Sequence, residues 1–266
     1  MSKTVVVTGS TRGIGRGLAE NFLKRGCKVV ISATRQPAVD QVVSELAASY
    51  GPDKVVGHAC DISVYEQVRS LWDFAQAQCG TVDVWINNAG ISLPRKPVIQ
   101  QSSEDLARIT ATNLNGVLYA ANVVLEGMDK QGGGQFWVME GFGSNGAAQS
   151  GMAAYGATKR AVNYLAKALR KDMAESNVQV NVLSPGIVVT DLLIGDYDTA
   201  TPEWEKAKKI FNILGDKVET VTPWLVNGVL KAQKNGARVE WLTTGKAFRR
   251  FMTAGFNKRD LFADIA

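Results

Sequence analysis

The chain has 266 residues, of which 45% are hydrophobic and 21% charged, with a net charge of +5. That length suits one large α/β domain with a full core, and the modest, scattered excess of Lys and Arg argues against a nucleic-acid partner. The lone histidine, His58, reads as strand filling, and Cys27, Cys60 and Cys79 lack metal or disulfide spacing, which excludes a His-ligated metal site, a Ser-His triad and a disulfide framework.

The run Lys3-Thr4-Val5-Val6-Val7, rich in β-branched residues, reads as a buried strand, and the glycine-rich turn Thr8-Gly9-Ser10-Thr11-Arg12-Gly13-Ile14-Gly15 follows it at once. Apolar Ile14, Leu18, Phe22 and Leu23 predict a helix over 14–24. A strand feeding such a turn into a helix suits a dinucleotide's phosphates. The helix start and its backbone amides attract the anion, and a β-carbon at the glycines would keep it away. Residues 29–31 form a second expected strand and 38–50 a helix, followed by strand 55–60, which ends at Asp61, and helix 65–77. Strand 82–86 enters Asn87-Asn88-Ala89-Gly90, and one long helix, 104–128, carries Asn113. Strand 135–139 runs into the glycine-rich loop 140–146, helix 153–174 carries Tyr155 and Lys159, and strand 178–183 leads to Pro185-Gly186.

Six apolar strands alternating with helices predict a Rossmann-type doubly wound parallel sheet, covered by helices on both faces. Ligands of such a sheet sit beyond the carboxyl ends of its strands, where Thr8, Asp61, Asn87 and Ser144 fall. On their helix, Tyr155 and Lys159 are four apart and share a face. A free phenol titrates near pH ~10, and a neighbouring ammonium brings it closer to neutrality, as proton transfer to a carbonyl requires. Lys159 can also donate to a cofactor ribose. Strand two ends Ser32-Ala33-Thr34-Arg35 without the carboxylate that would bind a free ribose. With Arg12 in the turn, Thr34 and Arg35 favour a 2′-phosphate, hence NADPH over NADH.

The glycine turn, Asn-Asn-Ala-Gly, Asn113, Tyr155-x-x-x-Lys159, and Pro185-Gly186 with Thr190, in this order, resemble the short-chain dehydrogenase/reductase family over about 4–194. The resemblance implies a nicotinamide oxidoreductase in which Tyr155 is the acid, Lys159 its tuner and Asn113 the anchor of a proton relay. It implies cofactor contacts from Gly9, Thr11, Arg12, Gly13, Ile14 and Gly15, and from Asp61 and Ile62 beside the adenine. Asn87, Ala89 and Gly90 would line the adenosine side, with Tyr155, Lys159, Pro185, Gly186, Val188 and Thr190 toward the nicotinamide. The family's usual serine lies about thirteen residues before the tyrosine, where this chain has Phe142. Ser144 is the nearest candidate for that role, and Ser150 the other. Family members commonly pair through the helices carrying Asn113 and Tyr155, so a homodimer or homotetramer is expected.

Thr201-Pro202 reads as an N-cap and first turn of an amphipathic helix through 214, with Trp204, Ala207, Ile210, Phe211 and Leu214 on one stripe. A second helix is expected over 218–231. The stripe is either core or, by resemblance, part of a substrate lid over 192–240, and a long apolar cover suits a bulky hydrophobic carbonyl. Residues 155–160, 184–193 and 211–213, with a Gly-Ser pair eleven residues before the tyrosine, are similar to chlorophyll b reductases of the same superfamily. That likeness implies reduction of the C7-formyl group of chlorophyll(ide) b to hydroxymethyl. A general ketone or aldehyde reductase and a non-catalytic NADP(H)-sensing protein remain the alternatives.

The tail, 241–266, interleaves Phe248, Arg249, Arg250, Phe251, Phe256, Lys258, Arg259 and Phe262. It reads either as a segment packed on its own domain or a sister subunit, or as a peripheral contact with an anionic membrane. No apolar run reaches membrane-spanning length, and no signal or transit segment precedes the first strand. The expected compartment is the cytoplasm, or the plastid stroma for a trimmed mature form.

Overall fold

The computed structural model describes residues 2–263 apart from 196 and 257. Met1, Asp196, Asn257 and residues 264–266, and with them those positions of segments 192–240 and 241–266, lie outside the described residues.

The chain alternates as expected: β1 (Thr4–Thr8), α1 (Gly13–Leu23), β2 (Lys28–Ser32), α2 (Gln36–Tyr50), β3 (Val55–Gly57), α3 (Tyr65–Cys79) and β4 (Val84–Asn87). Then come α4 (Ser103–Thr110), α5 (Gly116–Lys130), β5 (Gly134–Met139), α6 (Ala153–Asp172), β6 (Val178–Ser184) and β7 (Val188–Val189). The last third holds α7 (Asp191–Ile194), α8 (Pro202–Leu214), β8 (Asp216–Lys217), α9 (Val218–Lys231), β9 (Arg238–Glu240) and α10 (Thr244–Thr253). Seven strands form one parallel sheet in the order β3-β2-β1-β4-β5-β6-β9, and β7 pairs with β8 apart from it. The order reverses between β1 and β4, so the turns after these two strands open side by side.

Strand periodicity sorts the core into two layers. Val5, Val7, Val29, Ile31, Ile86 and Trp137 pack with Phe22 of α1, Leu46 of α2 and Leu225 of α9. Val6, Val30, Trp85, Phe136 and Val138 pack on the other face with Leu71 of α3, Val124 of α5 and Val162 of α6. A smaller aromatic cluster of Trp204, Phe211 and Phe262 joins α8 to the tail, with Tyr197 and Leu193 against it.

Four sequence expectations change. Strand three stops at Gly57 rather than Cys60. His58 therefore lies beyond the strand, stacked 4.7 Å from Phe74, with Nε2 3.0 Å from the Ser70 hydroxyl. The helix expected over 104–128 is broken at 111–115 by a π-helical turn that contains Asn113, a widening that apolar periodicity does not reveal. The sheet has a seventh strand, Arg238–Glu240, held by β6 alone and too short and charged to show as an apolar run.

Candidate active site

The glycine turn is built for close approach. Gly9 and Gly13 have φ of +64° and +55°, and a β-carbon on Gly9 would stand 2.9 Å from Ala89 Cα. One on Gly15 would overlap the Gly9 carbonyl. Arg12 is the N-cap of α1 and provides no side-chain cap, so the first amides of that helix face outward unblocked. The Thr8 hydroxyl accepts from the amides of Asn88 and Ala89, both at 3.1 Å. Asn88 Nδ2 donates to the carbonyls of Thr8 (2.9 Å) and Gly9 (3.1 Å). These bonds lock Asn88-Ala89-Gly90 to the turn. The sequence reading took 87–90 together and named Asn87 as the contact, whereas Asn88 makes the bonds to the turn. Asn87 instead turns into the sheet, donating to Trp137 O (3.0 Å) and accepting from Trp85 Nε1 (3.1 Å), so its side chain joins β4 to β5.

The carboxyl end of β2 carries no acid. Thr34 and Arg35 are exposed there, and Arg12 is exposed across the turn, 3.4 Å from Asp191 in a solvated pair. The side chain of Asp61 accepts from the Ser63 amide (2.9 Å) and hydroxyl (2.6 Å), which fixes the bend after β3. Ile62 is buried against Gly116, where a β-carbon would come within 2.7 Å of its Cδ1. On the opposite side, Thr190 approaches the turn: a β-carbon on Gly13 would touch its Cγ2 at 3.5 Å. Thr190 also N-caps α7, and Pro185 and Val188 are buried beneath it. Gly186, with φ +73°, leaves no room for a β-carbon against Leu242. Thr11 and Ile14 are half-buried along the same rim.

Tyr155, Lys159, Asn113 and Gly90 converge beyond β4 and β5. Lys159 is buried; its ammonium donates to the Met139 carbonyl at 3.3 Å and lies 5.7 Å from the Tyr155 ring centre. Burial pulls its pKa down to about 8, and the charge of Glu140 opposes that fall. A β-carbon on Gly90 would sit 3.3 Å from Asn113 Oδ1 and 3.7 Å from Lys159 Nζ. Asn113 is buried in its π-turn and exchanges two bonds of 2.8 Å with the amide and carbonyl of Ile91, and it donates to Thr158 Oγ1 at 3.3 Å. It thereby ties the loop after β4 to the tyrosine helix.

The loop after β5 closes the site. Gly141 lies directly against the Tyr155 hydroxyl, which a β-carbon there would overlap. Gly143, at φ +92°, puts its own β-carbon position 2.6 Å from Gly156 Cα, so loop and helix meet backbone to backbone. The buried Ser144 hydroxyl accepts from the Gly141 amide (3.1 Å) and donates to the Lys159 carbonyl (3.3 Å). It holds the loop on the helix, and Arg160 anchors the same residue by donating to its carbonyl at 3.0 Å. Ser150 is exposed in the turn before α6, and Phe142 is exposed at the loop's tip. Glu140, which sequence reasoning passed over, is buried. It accepts from Arg238 on β9 at 2.7 Å and from Asn163 Nδ2 at 2.6 Å. Its position at a strand end was its sequence signal.

The arrangement places the Tyr155 hydroxyl, a buried ammonium and a glycine turn open to close approach along one edge of a parallel sheet, groups suited to proton transfer and phosphate binding. Comparison with known proteins agrees with that layout. A profile of the family described as short chain dehydrogenase matches residues 3–200. The chain is 36% identical to the chlorophyll(ide) b reductase NOL, chloroplastic, of Oryza sativa subsp. japonica, over 94% of this chain and 74% of that protein. It is 34% identical to the probable chlorophyll(ide) b reductase NYC1, chloroplastic, of the same organism, over 95% of this chain; it spans about half (52%) of that relative's length. A closed form of serine dehydrogenase complexed with NADP+ superposes with a TM-score of 0.75 at 25% identity, over 88% of this chain and 93% of that one.

Proposed function

The chain belongs to the short-chain dehydrogenase family, an oxidoreductase family, and from that premise we propose that it is an NADPH-dependent reductase of a bulky hydrophobic carbonyl, with the C7-formyl group of chlorophyll(ide) b as candidate substrate. The observation that carries this reading is the Tyr155 hydroxyl held against Gly141, beside the buried Lys159 and across from the glycine cradle of the first turn. That cradle, which a β-carbon would fill, and the exposed Arg12 and Arg35 fit a dinucleotide with a 2′-phosphate. When bound, NADPH would supply the hydride.

The chain's own residues would do the rest. Tyr155 protonates the carbonyl oxygen, the Lys159 ammonium stabilises the phenolate that this leaves, and Asn113 holds the loop and helix that frame the pair. Thr190, which approaches the glycine turn at Gly13, would steady the carboxamide end of the cofactor. Segment 192–240 would cover the substrate with the aromatic cluster of Trp204, Phe211 and Tyr197. The likeness to two chloroplastic reductases, over nearly the whole chain, supports the pigment and, with it, a plastid setting. Among the described residues no helix is long and apolar enough to cross a membrane.

The test is NADPH-dependent reduction of chlorophyllide b, followed by absorbance and chromatography. The expected product is the 7-hydroxymethyl pigment, lost in Tyr155→Phe while NADPH binding persists. Turnover retained by that variant refutes the acid assignment. Reduction of simple ketones but not of the pigment replaces the substrate with the general carbonyl reading. The internal engagement of Ser144 favours a third reading, a binding protein without chemistry, and NADPH binding with no carbonyl reduced at all would select it.

A further inference from the structure

Among the described residues, the arginines that reach into the protein meet buried carboxylates: Arg250 and Arg259 pair with Asp216, and the half-exposed Arg238 with Glu140. Arg95 is different. Its Nε and Nη1 are shielded from solvent and have no hydrogen-bond partner among the described residues. A cation so placed is costly to keep unless something charged completes it.

The position of Arg95 says what that something is. Its backbone packs on Gly151, where a β-carbon would stand 3.1 Å from the Arg95 carbonyl carbon, in the turn that leads into the tyrosine helix. Its guanidinium carbon lies 4.2 Å over the Tyr197 ring. Tyr197 in turn meets Trp204 at 5.4 Å and Phe211 at 5.7 Å on α8. A narrow cleft lined by Leu93, Lys96, Gly151, Ala153 and Tyr155 runs beside the segment that carries Arg95. Arg95 thus touches both the turn that leads into the tyrosine helix, through its backbone, and the aromatic residues of the expected substrate cover, through its guanidinium. Arg12 and Arg35, which suit the cofactor's phosphate, lie at other strand ends. Stacking on Tyr197 covers one face of the guanidinium and leaves its in-plane N–H groups for an acceptor, which favours a planar oxyanion.

We infer that Arg95 binds a carboxylate of the substrate, remote from the carbonyl that is reduced. The inference rests on reading Tyr155 as the acid and 192–240 as the substrate's cover, and it narrows the substrate to an amphiphile: a large apolar ring system with a free acid. Of the pigment candidates, chlorophyllide b carries such an acid and its phytyl ester does not.

The experiment compares acid and ester. Dissociation constants of chlorophyllide b and its methyl ester for the NADP+-loaded protein are measured by tryptophan quenching in wild type, Arg95→Met and Arg95→Lys. A steroid bearing a ring ketone and a carboxylic acid, with its methyl ester, forms a second pair. Hydrogen bonding by a charged donor is expected to favour the acid by about tenfold or more. Arg95→Met should erase that preference while leaving ester binding unchanged, and Arg95→Lys should restore part of it. An acid preference in the steroid pair alone, abolished by Arg95→Met, keeps the carboxylate site and discards the pigment. No acid preference in either pair, or an equal loss of acid and ester binding in Arg95→Met, overturns the site.

Discussion

The Glu140 carboxylate and the Arg238 guanidinium meet at 2.7 Å, with the Glu140 side chain only 3% exposed, and this pair joins the edge strand of the sheet to the Tyr155–Lys159 centre. The residue before Glu140 accepts the Lys159 ammonium's hydrogen bond, and the residue after it lies against the Tyr155 hydroxyl. Burial pulls Lys159 down to about 8, and Glu140 resists. In Glu140→Gln that resistance is gone and the nearby Arg238 charge is left unbalanced; both changes disfavour the ammonium. Lys159 then loses its proton at lower pH, so the alkaline limb of the kcat/KM profile moves to lower pH. A profile scaled down without moving would reduce Glu140 to a structural strut. Because Arg238 is 43% exposed, the stability loss is expected to be about 1–3 kcal/mol, below the full cost of breaking a buried pair, and thermal melting would show it.

What the sequence made legible was local chemistry. The glycine turn, Asn-Asn-Ala-Gly and Tyr-x-x-x-Lys each act within a few residues, so their spacing carries their geometry. Glu140 and Arg238 are 98 residues apart, and only the sheet order brings them together. β9 went unseen because Arg238-Val239-Glu240 has no apolar face to announce it. The π-turn was hidden for a related reason: one residue of widening at Asn113 leaves the apolar spacing of the flanking helices nearly unchanged. Asn87 and Asn88 are adjacent and chemically identical, and strand alternation alone sends one into the sheet and the other to the turn.

The glycines of the β5 loop pack against the Tyr155 hydroxyl and the start of its helix, and so set the position of the proposed acid. Gly141→Ala puts a methyl group where the Tyr155 hydroxyl now lies, and Gly143→Ala collides with the Gly156 backbone at a φ that alanine resists. Displacing the hydroxyl by about 1 Å is expected to lower kcat by about a hundredfold, with NADPH affinity unchanged. Gly156→Ala, whose β-carbon would clear Gly143 Cα at 3.9 Å, should cost far less. Steady-state kinetics beside NADPH titration would check the split. A parallel loss of cofactor binding in Gly141→Ala would place the defect in folding instead.

The end of β2 carries an exposed cation and no acid, so the proposed preference for NADPH is expected to rest on Arg35 and Arg12. Arg35 is exposed there, and Arg12 is exposed in the glycine turn, in a solvated pair with Asp191. Arg12→Ala with Arg35→Ala is expected to raise the KM for NADPH by about tenfold or more and to leave that for NADH nearly unchanged. Equal effects on both cofactors would mean that these arginines support the turn and do not read the 2′-phosphate.

The tail is held by one buried carboxylate. Asp216 accepts from Arg250 (2.8 Å), Arg259 (3.0 Å) and Trp241 Nε1 (2.6 Å). The same two arginines donate to carbonyls at the C-terminal end of α8, among them Leu214 (2.8 Å) and Ile213 (2.9 Å), where a helix has unsatisfied acceptors and favours positive charge. Burial alone would raise the Asp216 pKa, but hydrogen bonds from Arg250 and Trp241 outweigh it and hold the group below the usual carboxylate value. A carboxyl depressed by folding contributes stability that is complete above its unfolded pKa, near ~4, and is lost as pH falls through its folded one. Asp216→Asn should therefore lower stability by about 3 kcal/mol at neutral pH. The gap in melting temperature between wild type and variant should hold from about pH 5 to pH 8 and narrow progressively below about pH 4, where the unfolded chain's carboxyl takes up a proton before the folded one does. Limited proteolysis supplies the second readout: in the variant at neutral pH, and in wild type at low pH, the tail beyond α9 should be cut before the sheet domain. A melting gap that persists undiminished in acid would mean that packing of Trp204, Phe211 and Phe262, and not the charge on Asp216, holds the tail in place.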